Sequence, residues 1–178
     1  MLKEIRDWII SFVIAIAVIL VIQYFLFSQY VVDGSSMENT FHDNERVIVN
    51  KFIYNFKDVG HSDVIVFDAG HEQAYIKRVI GVPGDTVEMI DKVVYVNGKA
   101  LDEAYVDDYE RSYSDNFTLE SLGVSGDEIP EGQYLVLGDN RAVSKDSREI
   151  GLVSEDDIIG KVQLKFWPFS EFTTDFSE

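Results

Sequence analysis

Apolar residues dominate residues 8–27, and within this run Ser11 and Gln23 are the clearly polar interruptions. A helix of these 20 residues would be about 30 Å long, which matches the hydrocarbon core of a bilayer. The run has no polar face, so a helix packed on the surface of a soluble protein explains it poorly. The pattern therefore predicts a single transmembrane helix.

The charged residues around this run predict its orientation. Lys3 and Arg6 precede it, whereas the first basic residue that follows is Arg46. By the positive-inside rule, the N-terminus stays in the cytoplasm and the remainder is exported. A cleaved signal peptide is the alternative, because Ala15-Ile16-Ala17 resembles a cleavage box. That box lies inside the apolar run, which is also longer than a signal h-region, so a retained anchor is favoured.

After the apolar run the pattern changes to short β-branched runs bounded by Gly, Asp or Asn, which is typical of strands. The predicted strands cover residues 46–50, 63–67, 74–80, 93–99, 134–137 and 161–166. Asn97-Gly98 is a strong hairpin signal, since both turn positions tolerate positive φ. Many short strands at regular spacing favour a mostly β domain, a β-sandwich or barrel-like fold, over a parallel α/β sheet.

The patterning predicts three parts: a cytoplasmic segment 1–7, an anchor 8–27 and one exported domain 28–178. Within that domain, residues 100–131 are rich in Asp, Glu, Ser and Gly and weak in periodicity. They are expected to form a solvated loop or a small lobe inserted between strands, at about 92–133. The acidic residues of this insert are expected to keep its surface solvated.

Composition narrows the classes of partner and of chemistry. The net charge of −17 argues against nucleic acid, because its phosphates would be repelled. The chain has no cysteine, so its stability must come from the core and from strand pairing. Its histidines are scattered and no HExxH motif occurs, so neither a metal nor another cofactor is expected.

Two blocks carry candidate chemistry. Ser36 lies in Gly34-Ser35-Ser36-Met37, and Lys77 lies in the block YIKRVIGVPGD at 75–85. A serine hydroxyl becomes a nucleophile when a base accepts its proton, and in a Ser-Lys dyad the base is a neutral amine. An ordinary lysine, with a pKa of about 10.4, is neutral in roughly one molecule in 2,500 at pH 7. Burial beside apolar neighbours must therefore lower the pKa of Lys77.

These blocks, with HSDVIVF at 61–67 and GDNRAVSKDSR at 138–148, resemble those of the type I signal peptidases. Members of that family are membrane-bound Ser-Lys proteases that remove signal peptides from exported preproteins. The single anchor and small insert are similar to the Gram-positive form. The resemblance implies a cell-membrane protein with one span and an extracellular catalytic domain. Its partners would be the bilayer and the signal peptides that emerge from the export machinery.

The resemblance also implies roles for individual residues. Ser36 corresponds to the nucleophile and Lys77 to the general base. Ser144 corresponds to the serine that hydrogen-bonds the lysine amine, and Asp146 and Arg148 match a supporting pair. The backbone N–H of Ser36 corresponds to the oxyanion hole, and Gly34 stands where some members add a hydroxyl.

Substrate recognition follows from the same resemblance. Signal peptides carry small residues at P1 and P3, and alternate side chains of an extended peptide share one face. Such a peptide, paired with strand edges near Tyr30–Val32 and Ala74–Lys77, would place P1 and P3 in shallow apolar pockets. The family correspondence assigns the lining of these pockets to Val32, Met37, Phe41, Tyr75 and Ile76.

One position departs from the family pattern, and two other functions remain open. Asn39 replaces the usual proline of the SMxPT motif, so proline at this position is expected to be tolerated or to stabilise the turn. A catalytically weak, membrane-anchored binding protein for exported segments is one alternative. A self-cleaving Ser-Lys repressor is another, although it would need a DNA-binding domain. His42 as the base of a Ser-His enzyme is disfavoured, because no suitable motif surrounds it.

Overall fold

The N-terminal apolar run forms helix α1, Leu2–Leu26, which passes directly into strand β1, Phe27–Val31. This computed structural model describes residues 2–70, 73–111 and 114–176, without the side chains of residues 2, 22–25 and 110. Met1 and several side chains of the predicted anchor therefore lie outside the described residues. Within the described part, no helix is both long enough and apolar enough to cross a membrane.

The rest of the described chain is mostly β, as predicted. After β1 the strands are β2 Arg46–Asn50, β3 Val64–Asp68, β4 Ala74–Gly81, β5 Val87–Ile90, β6 Val93–Val96, β7 Lys99–Ala100, β8 Phe117–Thr118, β9 Gln133–Leu137, β10 Val153–Ser154 and β11 Ile158–Trp167. Two short helices are α2, Asp108–Arg111, and α3, Ser147–Ile150. Short 3-10 turns cover Ile53–Asn55, Glu120–Leu122, Glu155–Asp157 and Phe169–Glu171.

The strands form two antiparallel sheets. The larger one has the order β1-β2-β11-β3-β4-β9-β10, and the smaller one has the order β7-β6-β5-β8. Every strand predicted from the sequence is present, and Asn97 and Gly98 both have positive φ at the expected hairpin turn. The larger sheet is open, with β1 and β10 at its edges, so the barrel-like form of the prediction is not a closed one. Strand β4 lies between β3 and β9, near the middle of this sheet.

The inserted segment is packed rather than a solvated loop. The strands of the smaller sheet lie between β4 and β9 in the sequence, and their apolar residues share a core with Ile80, Leu135 and Leu137 of the larger sheet. Gly81 shows how tight this packing is. A Cβ added there would lie 2.5 Å from Ile129 Cδ1 and 2.6 Å from Val87 Cγ2. The expectation that the acidic residues keep the surface solvated holds for the described ones except Glu103, which is 2% exposed.

Buried ion pairs join the loop at 138–148 to the insert on one side and to β4 on the other. Glu103 and Arg141 pair with both side chains at 0% exposure, and Arg141 Nε donates to the carbonyl of Gly138 at 3.0 Å. Arg78 of β4 pairs with Asp139 through Nε to Oδ1 at 2.9 Å and Nη2 to Oδ2 at 2.6 Å. Unpaired charges would be costly at these depths, so each residue depends on its partner.

The turn after Ser36 differs from the one expected. Asn39 has a φ of +84°, in the left-handed region that asparagine tolerates and that the proline ring, fixed near −65°, excludes. The expectation that proline would be accepted at this position is therefore wrong. The chain builds this turn with an asparagine because the backbone here needs positive φ.

We predict that Asn39→Pro lowers stability by more than about 1 kcal/mol, because its native φ is incompatible with the ring. Asn39→Gly is the matched control, since glycine reaches positive φ without a steric penalty. Melting temperatures of the parent and both variants test this. An unchanged melting temperature for the proline variant would show that φ at residue 39 is negative in solution.

Glu103→Gln should destabilise the fold by about 3–5 kcal/mol, because it leaves the Arg141 guanidinium buried without a counter-charge. Asp102→Asn removes the neighbouring carboxylate, which is exposed, and is expected to be near neutral. Urea unfolding of the two variants and the parent measures the difference. Equal midpoints for both variants would contradict a buried pair.

Candidate active site

Ser36 is held in a tight loop that follows β1. The backbone N–H of Gly34 donates to Asp43 Oδ1 at 2.9 Å, and the N–H of Phe41 donates to the carbonyl of Met37 at 2.8 Å. The Met37 side chain is 1% exposed and anchors the loop in the core. The N–H of Asn140 donates to the carbonyl of Ser36 at 3.1 Å. Ser36 is thus fixed from both sides while its hydroxyl faces a cleft.

Lys77 reaches Ser36 from β4. Its Nζ lies 2.8 Å from Ser36 Oγ and 2.9 Å from the carbonyl oxygen of Ile76. Residue 77 is 3% exposed, and β4 pairs on both sides, with β3 and with β9. The two residues singled out from separate blocks of the sequence therefore lie in direct contact.

Burial lowers the pKa of Lys77 to about 8, although the carboxylates of Asp146 and Asp139 oppose this shift and Arg148 assists it. Burial has the larger effect on the pKa, because the charged ammonium loses its hydration while the nearby carboxylates are already paired with arginines. The amine is consequently far easier to deprotonate than that of an exposed lysine.

Asp146 faces Arg148, as expected, through two hydrogen bonds: Nε to Oδ1 and Nη2 to Oδ2, both 2.8 Å. The N–H of Gly138 also donates to Asp146 Oδ2 at 2.9 Å. Burial alone would raise the pKa of the Asp146 carboxyl, but its hydrogen bonds with Arg148 and the arginine's charge outweigh burial and lower it. The pair keeps a permanent carboxylate near the lysine without giving the ammonium a direct partner.

Ser144 is the exception to the expected contacts. Its hydroxyl is buried and makes no hydrogen bond of standard geometry among the described residues, although it lies close enough to Asp146 to help lower the pKa of that carboxyl. The bond predicted between Ser144 and Lys77 is not made. A Cβ on Gly138 would collide with Ser144 Oγ and with the carbonyl of Ser36. Glycine at this position lets the loop at 138–148 approach the serine loop closely, which leaves Ser144 beside the site.

The backbone at Ser36 has a free donor. Among the described residues, no acceptor receives a hydrogen bond from the N–H of Ser36. An N–H left open beside a nucleophile can donate to an oxygen that becomes negative during attack. Gly34 has a φ of +87° and an added Cβ would meet nothing within 4 Å, so it contributes backbone and open space but no hydroxyl.

A cleft of about 310 Å³ opens at Ser36 and Lys77. Four of the predicted pocket residues line it: Val32, Met37, Tyr75 and Ile76. The assignment of Phe41 to the pocket is wrong, because Phe41 is 0% exposed and packs in the core, 4.9 Å from Phe176 between ring centroids.

Sequence reasoning missed several residues around this site. The cleft is also lined by Tyr30, Val31, Asp33, Ala74, Val143 and Lys145. Tyr30, Val31 and Ala74 belong to the strand edges that were expected to pair with substrate. Asp33, Val143 and Lys145 were not singled out, and the last two arrive from a distant loop. Among the described residues, no group of three His, Cys, Asp or Glu side chains is placed to hold a metal ion.

Thr40 is a further residue that the sequence did not single out. Its Oγ1 donates to Asp139 Oδ2 at 2.5 Å, and Arg78 Nη2 donates to Thr40 Oγ1 at 3.2 Å. The serine loop, β4 and the loop at 138–148 thus share one buried hydrogen-bond network. This network fixes the three elements that carry Ser36, Lys77 and Ser144.

Comparison with known proteins agrees with this geometry. The family described as "Signal peptidase, peptidase S26" matches residues 5–167 of the chain. Signal peptidase IB of Staphylococcus aureus (strain COL) is 44% identical over 185 aligned residues, which cover 99% of this chain and 97% of that protein. Signal peptidase I of Bacillus caldolyticus is 40% identical over 179 residues, covering 98% and 97% of the two chains.

The comparison with a solved structure also indicates a signal peptidase. The crystal structure of a signal peptidase I from Enterococcus faecalis V583 aligns with a TM-score of 0.52 and 40% sequence identity. The alignment covers 59% of this chain and 97% of the crystallised one. The family match and the full-length relatives lead to one conclusion: this chain belongs to the signal peptidase family, peptidase family S26.

Proposed function

We propose that this protein is a signal peptidase I, a serine endopeptidase that removes N-terminal signal peptides from exported preproteins. Ser36 is its nucleophile and Lys77 its general base. The observation that carries the proposal is the 2.8 Å separation between Ser36 Oγ and Lys77 Nζ, with the lysine buried and its pKa lowered to about 8. The family membership and the full-length relatives support it.

The chemistry follows from this contact. A neutral amine keeps two N–H groups and one lone pair, so an N–H can donate to the carbonyl of Ile76 while the lone pair faces the Ser36 hydroxyl. Lys77 takes the hydroxyl proton as Ser36 Oγ attacks the scissile carbonyl, and the N–H of Ser36 stabilises the oxyanion. The ammonium then protonates the leaving amine. Lys77 next accepts a proton from the water that attacks the acyl-enzyme ester, and it returns this proton to Ser36 Oγ as the new carboxyl end leaves.

The neighbouring residues have supporting roles in this proposal. Asp146 and Arg148 brace the loop at 138–148 from within, where Asp146 accepts from the Gly138 N–H. The N–H of Asn140 then joins this loop to the serine loop through the Ser36 carbonyl. Ser144 orients the lysine amine by accepting a hydrogen bond from one of its N–H groups when substrate is bound, and its hydroxyl makes no competing hydrogen bond of standard geometry among the described residues. None of these groups needs to exchange a proton with the substrate.

The cleft supports a preference for small residues at P1 and P3. An extended peptide lying between the segment that follows β1 and the start of β4 would direct alternate side chains toward Val32, Met37, Tyr75 and Ile76. Val32 is 4% and Met37 1% exposed, so the pocket floor is already filled by close-packed side chains. Large residues would be excluded by volume.

We also propose that α1 anchors the enzyme in the cell membrane, with the N-terminus cytoplasmic and the catalytic domain extracellular. The support is the apolar run of the sequence, 8–27, together with the exposure of every residue from 3 to 21 in the described helix. The N–H of Lys51 donates to the carbonyl of Leu26 at 3.0 Å. This bond ties the end of the helix to the sheet and keeps the site close to the bilayer surface.

A catalytically weak binding protein is the alternative, and its support was the departure at Asn39. Cleavage itself decides between the two. The full-length protein is solubilised in detergent and incubated with a preprotein, and the new N-terminus is sequenced. Cleavage after small P1 and P3 residues supports the peptidase, whereas binding of the preprotein without cleavage supports the alternative.

Removal of either dyad member should abolish cleavage while the fold stays intact. Ser36→Ala and Lys77→Met are each expected to lower kcat/KM by several orders of magnitude. Lys77→Met should also raise the melting temperature at pH 7. At that pH the lysine is protonated in both the folded and unfolded states, and the folded state bears the cost of burying the charge.

Ser35→Ala is the matched control, since it removes the neighbouring hydroxyl and should reduce activity only mildly. Circular dichroism of all three variants checks their folding. If Ser35→Ala abolishes cleavage and Ser36→Ala does not, the assignment of the nucleophile is wrong.

The rate of cleavage should rise with pH along a limb near 8, because only the deprotonated Lys77 accepts the serine proton and its pKa is lowered to about 8. Activity is lost as the pH falls below this value and the amine becomes charged. The pH profile of kcat/KM with a preprotein substrate measures the limb. A limb near the ordinary lysine value, about 10.4, would show that the amine is solvated.

A further inference from the structure

A second groove, of about 480 Å³, adjoins the cleft at Ser36. Its lining residues come from the insert and from the loop at 138–148 with α3: Asp115, Asn116, Phe117, Ser121 and Leu122 on one side, and Arg141, Ala142, Val143, Ser144, Arg148 and Glu149 on the other. Val143 lines both spaces and is 61% exposed. The groove and the cleft therefore meet at Val143, on the loop at 138–148.

We infer that this groove binds the first residues of the mature protein, those that follow the scissile bond. The inference rests on the proposed function. The part of the substrate before the bond occupies the first cleft, beside the segment after β1 and the start of β4. The chain after the bond must leave on the opposite side of Ser36, where the loop at 138–148 is attached to the Ser36 carbonyl through Asn140. The second groove begins there.

A buried polar group in the groove has hydrogen-bonding capacity left for a ligand. Ser144 is 6% exposed and lines the groove, and its hydroxyl makes no hydrogen bond of standard geometry among the described residues, although it lies near Asp146. Buried hydroxyls are normally hydrogen-bonded, so this one suggests a partner that arrives with substrate. Its oxygen can accept from the Lys77 amine while its O–H donates to a backbone C=O of an extended peptide.

The charges of the groove determine which mature segments it favours. Arg141 is paired with Glu103, and Arg148 is paired with Asp146. Asp115 and Glu149 are exposed and form no ion pair among the described residues. Lys145 lies in the first cleft rather than in this groove. The groove is therefore negative, and it favours basic or neutral residues over acidic ones just after the cleavage site.

Buried contacts fix the insert in position as one wall of the groove. The buried pair of Glu103 and Arg141 connects it to the loop at 138–148, and Arg78 stacks on the Tyr105 ring, 3.8 Å from the centroid. These contacts fix the wall that carries Asp115 relative to the wall that carries Glu149. The insert is thereby a substrate-binding element as well as part of the core.

The test uses the full-length enzyme and preproteins that carry one lysine or one glutamate at each of the first positions after the cleavage site. Lysine is expected to be preferred over glutamate about fivefold in kcat/KM at low salt at one or more positions, with less preference at high salt. The double variant Asp115→Asn/Glu149→Gln should lose most of this preference. Asp127→Asn/Glu128→Gln, which changes the net charge equally but lies outside both spaces, should keep it.

The inference is overturned if the parent shows no preference at any position, if the double variant keeps it, or if the control variant loses it equally. A neutral mature segment separates the two proposals. If the parent cleaves this substrate and Ser36→Ala does not, the proposed function holds whatever the groove does. Binding of fluorescent lysine- and glutamate-containing peptides to Ser36→Ala measures the groove preference without any cleavage.

Discussion

A lysine that must be neutral cannot have a carboxylate as its direct partner, and this constraint explains most of the architecture around Ser36. Lys77 contacts a hydroxyl and a carbonyl, both uncharged, on a strand that is paired on both sides. The nearest carboxylates, Asp139 and Asp146, are each held by an arginine through two hydrogen bonds. Burial then lowers the pKa of the amine because its opposing charges are already committed.

The same arginine–carboxylate pairs determine the shape of the site. Arg78 to Asp139 connects β4 with the loop at 138–148, and Thr40 extends this network to the serine loop. Glu103 to Arg141 continues it into the insert. Buried pairs of this kind contribute little net stability but are costly to break, so they specify one relative placement of the elements they join. The separation between Ser36 and Lys77 depends on that placement.

These contacts place the insert where it can take part in substrate binding. In the sequence it is an acidic, weakly periodic segment, yet half of it closes a core with β4 and β9 while the other half faces a groove beside the nucleophile. The two exposed carboxylates of the groove, Asp115 and Glu149, would lie beside the bound substrate, whereas the same charges on an open surface would contact only solvent. They discriminate between substrates according to the charge that follows the cleavage site, and salt screens this effect.

The local sequence pattern was enough to predict most of the strands, one turn and the main residues of the candidate site. Short runs of β-branched residues bounded by Gly, Asp or Asn specified the strands, because such residues pack well on a pleated surface. The blocks around Ser36, Lys77 and the loop at 138–148 pointed to the contact between Ser36 and Lys77 and to the Asp146–Arg148 pair, both of which lie within hydrogen-bonding distance. Asn97-Gly98 specified a turn for the same local reason.

Only the tertiary structure decided which residues meet across the chain. Phe41 belongs to the core and not to the pocket, Val143 and Lys145 reach the cleft from far along the chain, and Glu103 becomes a buried partner of Arg141. The left-handed φ of Asn39 and the buried hydroxyl of Ser144 also depend on the surrounding loops. Burial and pairing are set by segments distant in sequence, and a local pattern carries no information about which segments will pack together.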